Sequence, residues 1–192
     1  MNDPFREETN CIYLMKKILF GVLILISARA IAQKTYDVST DPKNGQKVFN
    51  GPITFQDLDG EPSFTWLKSG FEEYKPRKKP LNYIRYKLKH YNMVVFLGTW
   101  CSDSHEIIPK LERIIGIIDY PQSQLSMYGT NRAKTTKNDA EKKYNITLVP
   151  TIILFRDGKE IGRITETAHK KIETDLAAII KSDPAAAQMK DE

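Results

Sequence analysis

The stretch Trp100-Cys101-Ser102-Asp103-Ser104 holds the side chains best suited to chemistry in this chain. It follows directly on the apolar run Met93-Val94-Val95-Phe96-Leu97, so a thiol falls where a buried strand should turn into a helix. Free backbone N–H groups and the positive end of a helix dipole favour an anion there, which lowers a cysteine pKa and makes the sulfur a nucleophile. Such a thiolate attacks disulfides and sulfenic acids and forms mixed disulfides. The bland alternative is an inert, buried cysteine, because free cysteine is among the most buried residue types. The place beside Trp100, at a strand end rather than inside the apolar run, favours an accessible sulfur.

The neighbours of Cys101 would tune it. Ser104, three residues on, is expected to donate a hydroxyl hydrogen bond to the sulfur. Asp103 suits the first turn of a helix, where it caps N–H groups, but its charge competes with a thiolate, so the thiol is expected to be less acidic than one without it. His105 lies four residues after Cys101, on the same helical face, and an imidazolium there would steady the thiolate; a solvent-facing ring is the alternative. Trp100 would shield the sulfur while presenting an aromatic surface to a client. His90 and His169 have no acid or thiol at ligand spacing, so no metal site is expected.

The elements that must position these residues follow from periodicity. Met93 to Leu97 has no polar residue, the pattern of a strand covered on both faces. From Ser102 the period becomes helical, with Ile107, Ile108, Leu111, Ile114, Ile115 and Ile118 on one side and a kink expected at Pro109. Leu125 to Tyr128 predicts a short strand, followed by a polar stretch and a helix over Asp139 to Tyr144. Val149-Pro150-Thr151 leads into a strand through Phe155, and Asp157-Gly158 turns it back into a second strand around Ile161 to Ile164. A helix over Ala168 to Lys181 closes the order before Asp183-Pro184. Upstream, Phe64, Trp66, Leu67 and Phe71 predict a helix ending around Gly70 or Tyr74, and Leu81, Ile84 and Leu88 predict another running to His90.

The ends read differently. Lys16-Lys17, the apolar run Ile18 to Ile26 and Ala30-Ile31-Ala32 have the layout of a cleaved secretory signal over residues 1–32, its start codon at Met1 or at Met15. The apolar run falls short of the ~20 residues that a permanent span requires, so no stable membrane anchor is expected after cleavage. Cleavage would remove Cys11 and leave Cys101 alone in a periplasmic or secreted chain, an unusual state for an oxidising compartment and one that argues for reactivity or deep burial. Asp41-Pro42, Asn44-Gly45, Gly51-Pro52 and Gly60-Glu61-Pro62 crowd residues 33–62 with turn formers, which predicts an extended leader with at most short strands. The compact domain is then expected over residues 63–182, with residues 183–192 a frayed tail. A net charge of +5 is mild and implies no nucleic acid. The basic and aromatic cluster from Tyr74 to Tyr91 reads as a solvated helix face.

The order strand, Trp-Cys-x-x-Ser, helix with Pro109, strand, helix, Val-Pro-Thr strand, glycine turn, strand, helix resembles the thioredoxin superfamily over about residues 81 to 182. Trp100-Cys101 matches its tryptophan and nucleophile, Pro109 its helix proline, Val149-Pro150-Thr151 its cis-proline segment and Asp157-Gly158 its hairpin turn. The resemblance implies an α/β three-layer sandwich, a central mixed sheet flanked by helices. It also implies a cis Pro150 facing Cys101, with Val149 pairing its backbone to an extended client. Dithiol members have a second cysteine where Ser104 stands, many have an acid where Val95 stands, and a proline is common where Asp103 stands. Without a resolving sulfur a self-contained two-electron cycle cannot run on Cys101.

The function implied is monothiol thiol–disulfide exchange or mixed-disulfide capture of protein or low-molecular-weight thiols and disulfides, with no cofactor. A different class of reading is a non-catalytic binding module in which Trp100, Val149 and Pro150 grip a peptide. Single-cysteine relatives that hold an iron–sulfur cluster with glutathione show a Gly-Phe pair that this loop lacks, and Gly98-Thr99 does not supply the upstream proline and threonine of peroxide-reducing members.

Overall fold

The computed structural model describes residues 35–189. The expected signal segment and Cys11 lie outside the described residues. Six strands form one mixed sheet in the order β1-β2-β4-β3-β5-β6. They are β1 (Asp37–Thr40), β2 (Lys47–Ile53), β3 (Asn92–Leu97), β4 (Leu125–Gly129), β5 (Thr151–Arg156) and β6 (Lys159–Thr165). The helices are α1 (Phe55–Asp59), α2 (Thr65–Glu73), α3 (Lys78–Lys87), α4 (Ser102–Ile117), α5 (Ala140–Lys143) and α6 (Ile172–Ser182). Only β3 and β4 run parallel, joined by α4; the other neighbours are antiparallel.

The unbroken apolar run of β3 is explained by its place. It pairs with β4 on one side and β5 on the other, and all five residues from Met93 to Leu97 are buried. Alternation divides them between two cores. Met93, Val95 and Leu97 face a large core completed by α2, α3, α4 and α6 through Leu67, Ile84, Ile108, Leu111, Ile114, Leu176 and Ile180. Val94 and Phe96 face a smaller one with Cys101, Ala140, Ile146, Val149 and Ile153. On that second face the cover is the short α5, the loop around Ile146 and the partly buried rings of Tyr128, Tyr144 and Phe155.

Helix α4 continues through Pro109 to Ile117. Helix α2 likewise passes through Gly70 to Glu73, beyond the first of its two expected ends, and a Cβ on Gly70 would lie 2.6 Å from Cγ of Pro109. That contact makes the glycine a packing residue, since any side chain would push α2 off α4. The β5–β6 turn carries Asp157 at φ 50° and Gly158 at φ 76°, the paired left-handed conformation of a tight hairpin. Helix α6 begins at Ile172 rather than Ala168, after Glu166 takes a left-handed conformation at φ 58°.

Two expected boundaries are corrected. Residues 35–62, the described part of the expected leader over 33–62, do not form an extended segment ahead of a domain starting at residue 63. From Thr35 onward the chain joins the compact unit, with β1 and β2 as a hairpin whose β2 pairs with β4. The turn formers Asn44 and Gly45 make the hairpin turn, with Gly45 at φ 71°, and Val48, Phe49 and Ile53 of β2 are buried. Tyr36, Phe49, Phe64 and Trp66 then form a chain of ring contacts from the hairpin into α2.

The tail is also anchored, as far as residue 189. Asp183 is buried, accepts from the Tyr91 hydroxyl at 2.8 Å, pairs with Arg156, and caps Ala185 N–H at 3.1 Å. Lys87 donates to the carbonyls of Ala186 and Met189. The signal was present in Asp183-Pro184, a capping residue followed by a proline at the first position of a short helix.

Candidate active site

The loop between β3 and α4 is pinned residue by residue. Gly98 N–H donates to Ser104 Oγ at 3.1 Å, and Gly98 O accepts from Cys101 N–H at 2.9 Å. Thr99 is fully buried: its hydroxyl donates to Lys47 O at 2.8 Å and accepts from Phe49 N–H at 3.2 Å, tying the loop to β2. Trp100 Nε1 donates to Thr130 O at 2.8 Å. A Cβ on residue 98 would lie 2.7 Å from the Trp100 ring, so glycine there lets the indole fold back over the strand end.

Cys101 occupies the N-cap position of α4, although its side chain makes no capping hydrogen bond to the helix. Its Sγ donates to Val149 O at 3.4 Å, and the Val149–Pro150 peptide bond is cis. Cys101 and the Val149-Pro150 pair, far apart in sequence, therefore meet at one point. The sulfur is not openly accessible: the residue is 9% exposed and belongs to the smaller core. The expectation of an accessible thiol is corrected here. Cys101 shares that core with Val149, Ala140 and Ile146, and Trp100 packs against the same cluster.

Ser104 and His105 are close to Cys101 but oriented elsewhere. Ser104 is fully buried with Oγ on the Gly98 amide, so it holds the loop in place of the expected donation to sulfur. The His105 ring stacks on Trp66, with centroids 4.3 Å apart, and Nε2–H donates to Thr99 O at 2.8 Å. Burial pushes its pKa below the ordinary imidazole value, and the hydrogen bond to Thr99 opposes this only in part. A neutral ring turned toward α2 is not the imidazolium that would steady a thiolate. Asp103, in the first turn of α4, lines a recess with Tyr74, Lys110, Glu166 and Lys171.

Sequence reasoning missed a charged pair. Arg132, in the loop after β4, forks onto Asp41 with Nε at 2.8 Å from both carboxylate oxygens and Nη2 at 2.6 Å from Oδ2. Its guanidinium lies 4.9 Å over the Trp100 ring. The Asp41 side chain is fully buried, and the hydrogen bond from Arg132 holds its carboxyl below the ordinary range. These residues are 91 apart in sequence, and Asp41-Pro42 reads locally as nothing more than a turn. Among the described residues no three His, Cys, Asp or Glu side chains gather in a metal-binding arrangement, and no helix is long and apolar enough to cross a membrane.

A cysteine at the N-cap position of the helix that follows a central strand, its sulfur on the carbonyl of the residue before a cis-proline on a mixed α/β sheet, is the arrangement of the thiol–disulfide class. The chain belongs to the thioredoxin family: the Thioredoxin family model matches residues 82–182, just over half of its length. It is similar to thioredoxin-1 of Saccharomyces cerevisiae, 27% identical over 86 residues that make up 45% of this chain and 78% of the relative. It is also similar to the thioredoxin of Staphylococcus epidermidis, 29% identical over 72 residues, 38% of this chain and 64% of the relative. The matched stretch thus spans a little less than two thirds of the staphylococcal protein. Among solved structures, the crystal structure of an HIV epitope scaffold aligns with a TM-score of 0.50 at 13% identity, covering 69% of this chain and 94% of that one, a likeness of fold alone.

Proposed function

We propose that the protein carries out thiol–disulfide exchange as a monothiol, through Cys101, on protein or low-molecular-weight disulfides in the cell envelope. The observation that supports this reading is the position of the sulfur: Cys101 stands at the N-cap position of α4, and its Sγ lies against the carbonyl of Val149, beside cis-Pro150. The Cys101 thiolate attacks one sulfur of a client disulfide and forms a mixed disulfide, while the other half leaves as a thiolate that takes up a proton. An external thiolate then attacks the client sulfur, and Cys101 leaves with the electron pair of the broken bond. Ser104 stands at the third position after the nucleophile and is held by the Gly98 amide, so release depends on that external thiol. Trp100, Val149 and Pro150 would bound the client. The Lys16-Lys17 and Ile18 to Ile26 segment with Ala30-Ile31-Ala32 supports export, and with it a compartment where disulfide clients persist.

One observation favours a second reading. A sulfur 9% exposed, whose hydrogen is donated to a carbonyl, suits a binding module in which Cys101 turns nothing over. The two separate on intact-mass detection of a mixed disulfide after incubation with oxidised glutathione. Exchange chemistry gives a glutathione adduct on Cys101 that dithiothreitol removes and that Cys101→Ala abolishes. If Cys101 stays unmodified at neutral pH over hours while a small thiol control reacts, the binding module is the correct reading.

A further inference from the structure

We infer that Arg132, anchored by Asp41, is the cation that stabilises the Cys101 thiolate, making a residue outside the Trp-Cys-x-x-Ser loop the electrostatic partner of the reactive sulfur. The inference rests on the exchange reading above and names the group that would make a buried thiol usable. Ionisation would strip the thiol of its hydrogen bond to Val149 O and leave two electron-rich atoms facing each other, so a thiolate there needs a compensating cation. The α4 N-terminus favours the thiolate, and a nearby guanidinium would add to it.

The geometry supplies that guanidinium. Arg132 stacks on Trp100, the residue next to Cys101, and the indole is itself held by Thr130 O, so the cation sits over a fixed platform. The fork from the fully buried Asp41 carboxylate removes most of its rotational freedom. The hydrogen bond with Asp41 is the main cause that raises the affinity of Arg132 for its proton, and the charge of Cys101 is the smallest contribution in the same direction.

The other ionisable groups around the loop are engaged elsewhere. His105 is turned to Thr99 and Trp66, and Asp103 lines the recess shared with Lys110 and Lys171. The Glu141 carboxylate is held by Thr136 N–H at 2.9 Å and the Thr136 hydroxyl at 2.7 Å, and Lys137 pairs with Asp37 at 2.7 Å. Arg132 is the cation that meets the platform beside the sulfur.

The test is the pH dependence of iodoacetamide alkylation in the full chain, read by mass spectrometry on the Cys101 peptide so that Cys11 does not contribute. The informative variant is Asp41→Asn with Arg132→Gln, a neutral pair that keeps hydrogen bonding across the contact and leaves no buried lone charge. Its Cys101 midpoint should rise by about one pH unit, with alkylation at pH 7 about tenfold slower. Asp41→Asn alone keeps the cation and an acceptor for it but removes the counter-charge, so its midpoint should fall. A folded neutral pair with the wild-type midpoint overturns the inference, as does an upward shift of equal size in both variants, which would mean loosened packing rather than charge. Absence of a glutathione adduct in the wild type would instead remove the exchange reading and leave these alkylation shifts interpretable.

Discussion

Residues 82–182 and residues 35–62 serve the same site in unlike ways. The first region carries the family match and the atoms of the proposed chemistry: the β3–α4 junction with Cys101, and Val149-Pro150 opposite it. The second carries no residue of the motif, yet it supplies Lys47 O and Phe49 N–H to Thr99 and the Asp41 carboxylate to Arg132. The proposed chemistry is therefore local to the matched region, while the loop that holds it is tied by hydrogen bonds and an ion pair to a hairpin outside it. A thiol that is tuned by contacts between distant segments can differ from its relatives without any change in its motif.

The sharpest way to break that comparison is to weaken the hairpin. Phe49 is 1% exposed and packs on Tyr36 and Phe64, so Phe49→Ala should cost about 3–5 kcal/mol in urea unfolding. An effect near that of an exposed control such as Val38→Ala, within ~0.5 kcal/mol, would return the hairpin to the status of a leader. Next in size is Thr99→Val, which leaves the Phe49 amide and the Lys47 carbonyl without their partner in a buried place. About 1–3 kcal/mol is expected, together with faster hydrogen exchange in the 98–101 loop. Unaltered exchange there would show that the tie to β2 does not hold the loop.

The smallest effect lies where the two regions meet through carboxyls. Burial first, and then the neighbouring charge and hydrogen bond of Asp59 on α1, push the Glu112 carboxyl of α4 up to about 7. A carboxyl whose folded pKa is raised binds its proton more tightly in the native state, so its stabilisation is present below about pH 4.5 and is lost as pH climbs toward 7. Glu112→Gln should therefore raise the melting temperature by a few degrees at pH 8 and leave it unchanged at pH 4. A variant equally stabilising at both values would mean that the carboxyl pair does not titrate across the contact.

Much of the fold was legible because it is written in local periodicity. The apolar run of β3, the helical stripe of α4 and the Asp157-Gly158 turn each report their own geometry within a few residues. The hairpin was misread for a related reason. Asp41-Pro42, Asn44-Gly45 and Gly51-Pro52 mark turns correctly, but turn density does not say whether the strands between the turns find a sheet edge, and β4 offers one. The tail was misread because Tyr91, Arg156 and Lys87, which hold it, come from distant elements.

Within the site, the sequence by itself determined which atoms could react and where on the strand and helix they stand, since residue type and spacing set both. Tertiary structure alone decided which way Ser104 and His105 turn, how deeply the sulfur is buried, and that Arg132 reaches Asp41 beside Trp100. Side-chain direction and charge pairing depend on what each group meets across the fold, and the partners that decide them lie tens of residues away, beyond the reach of any local pattern.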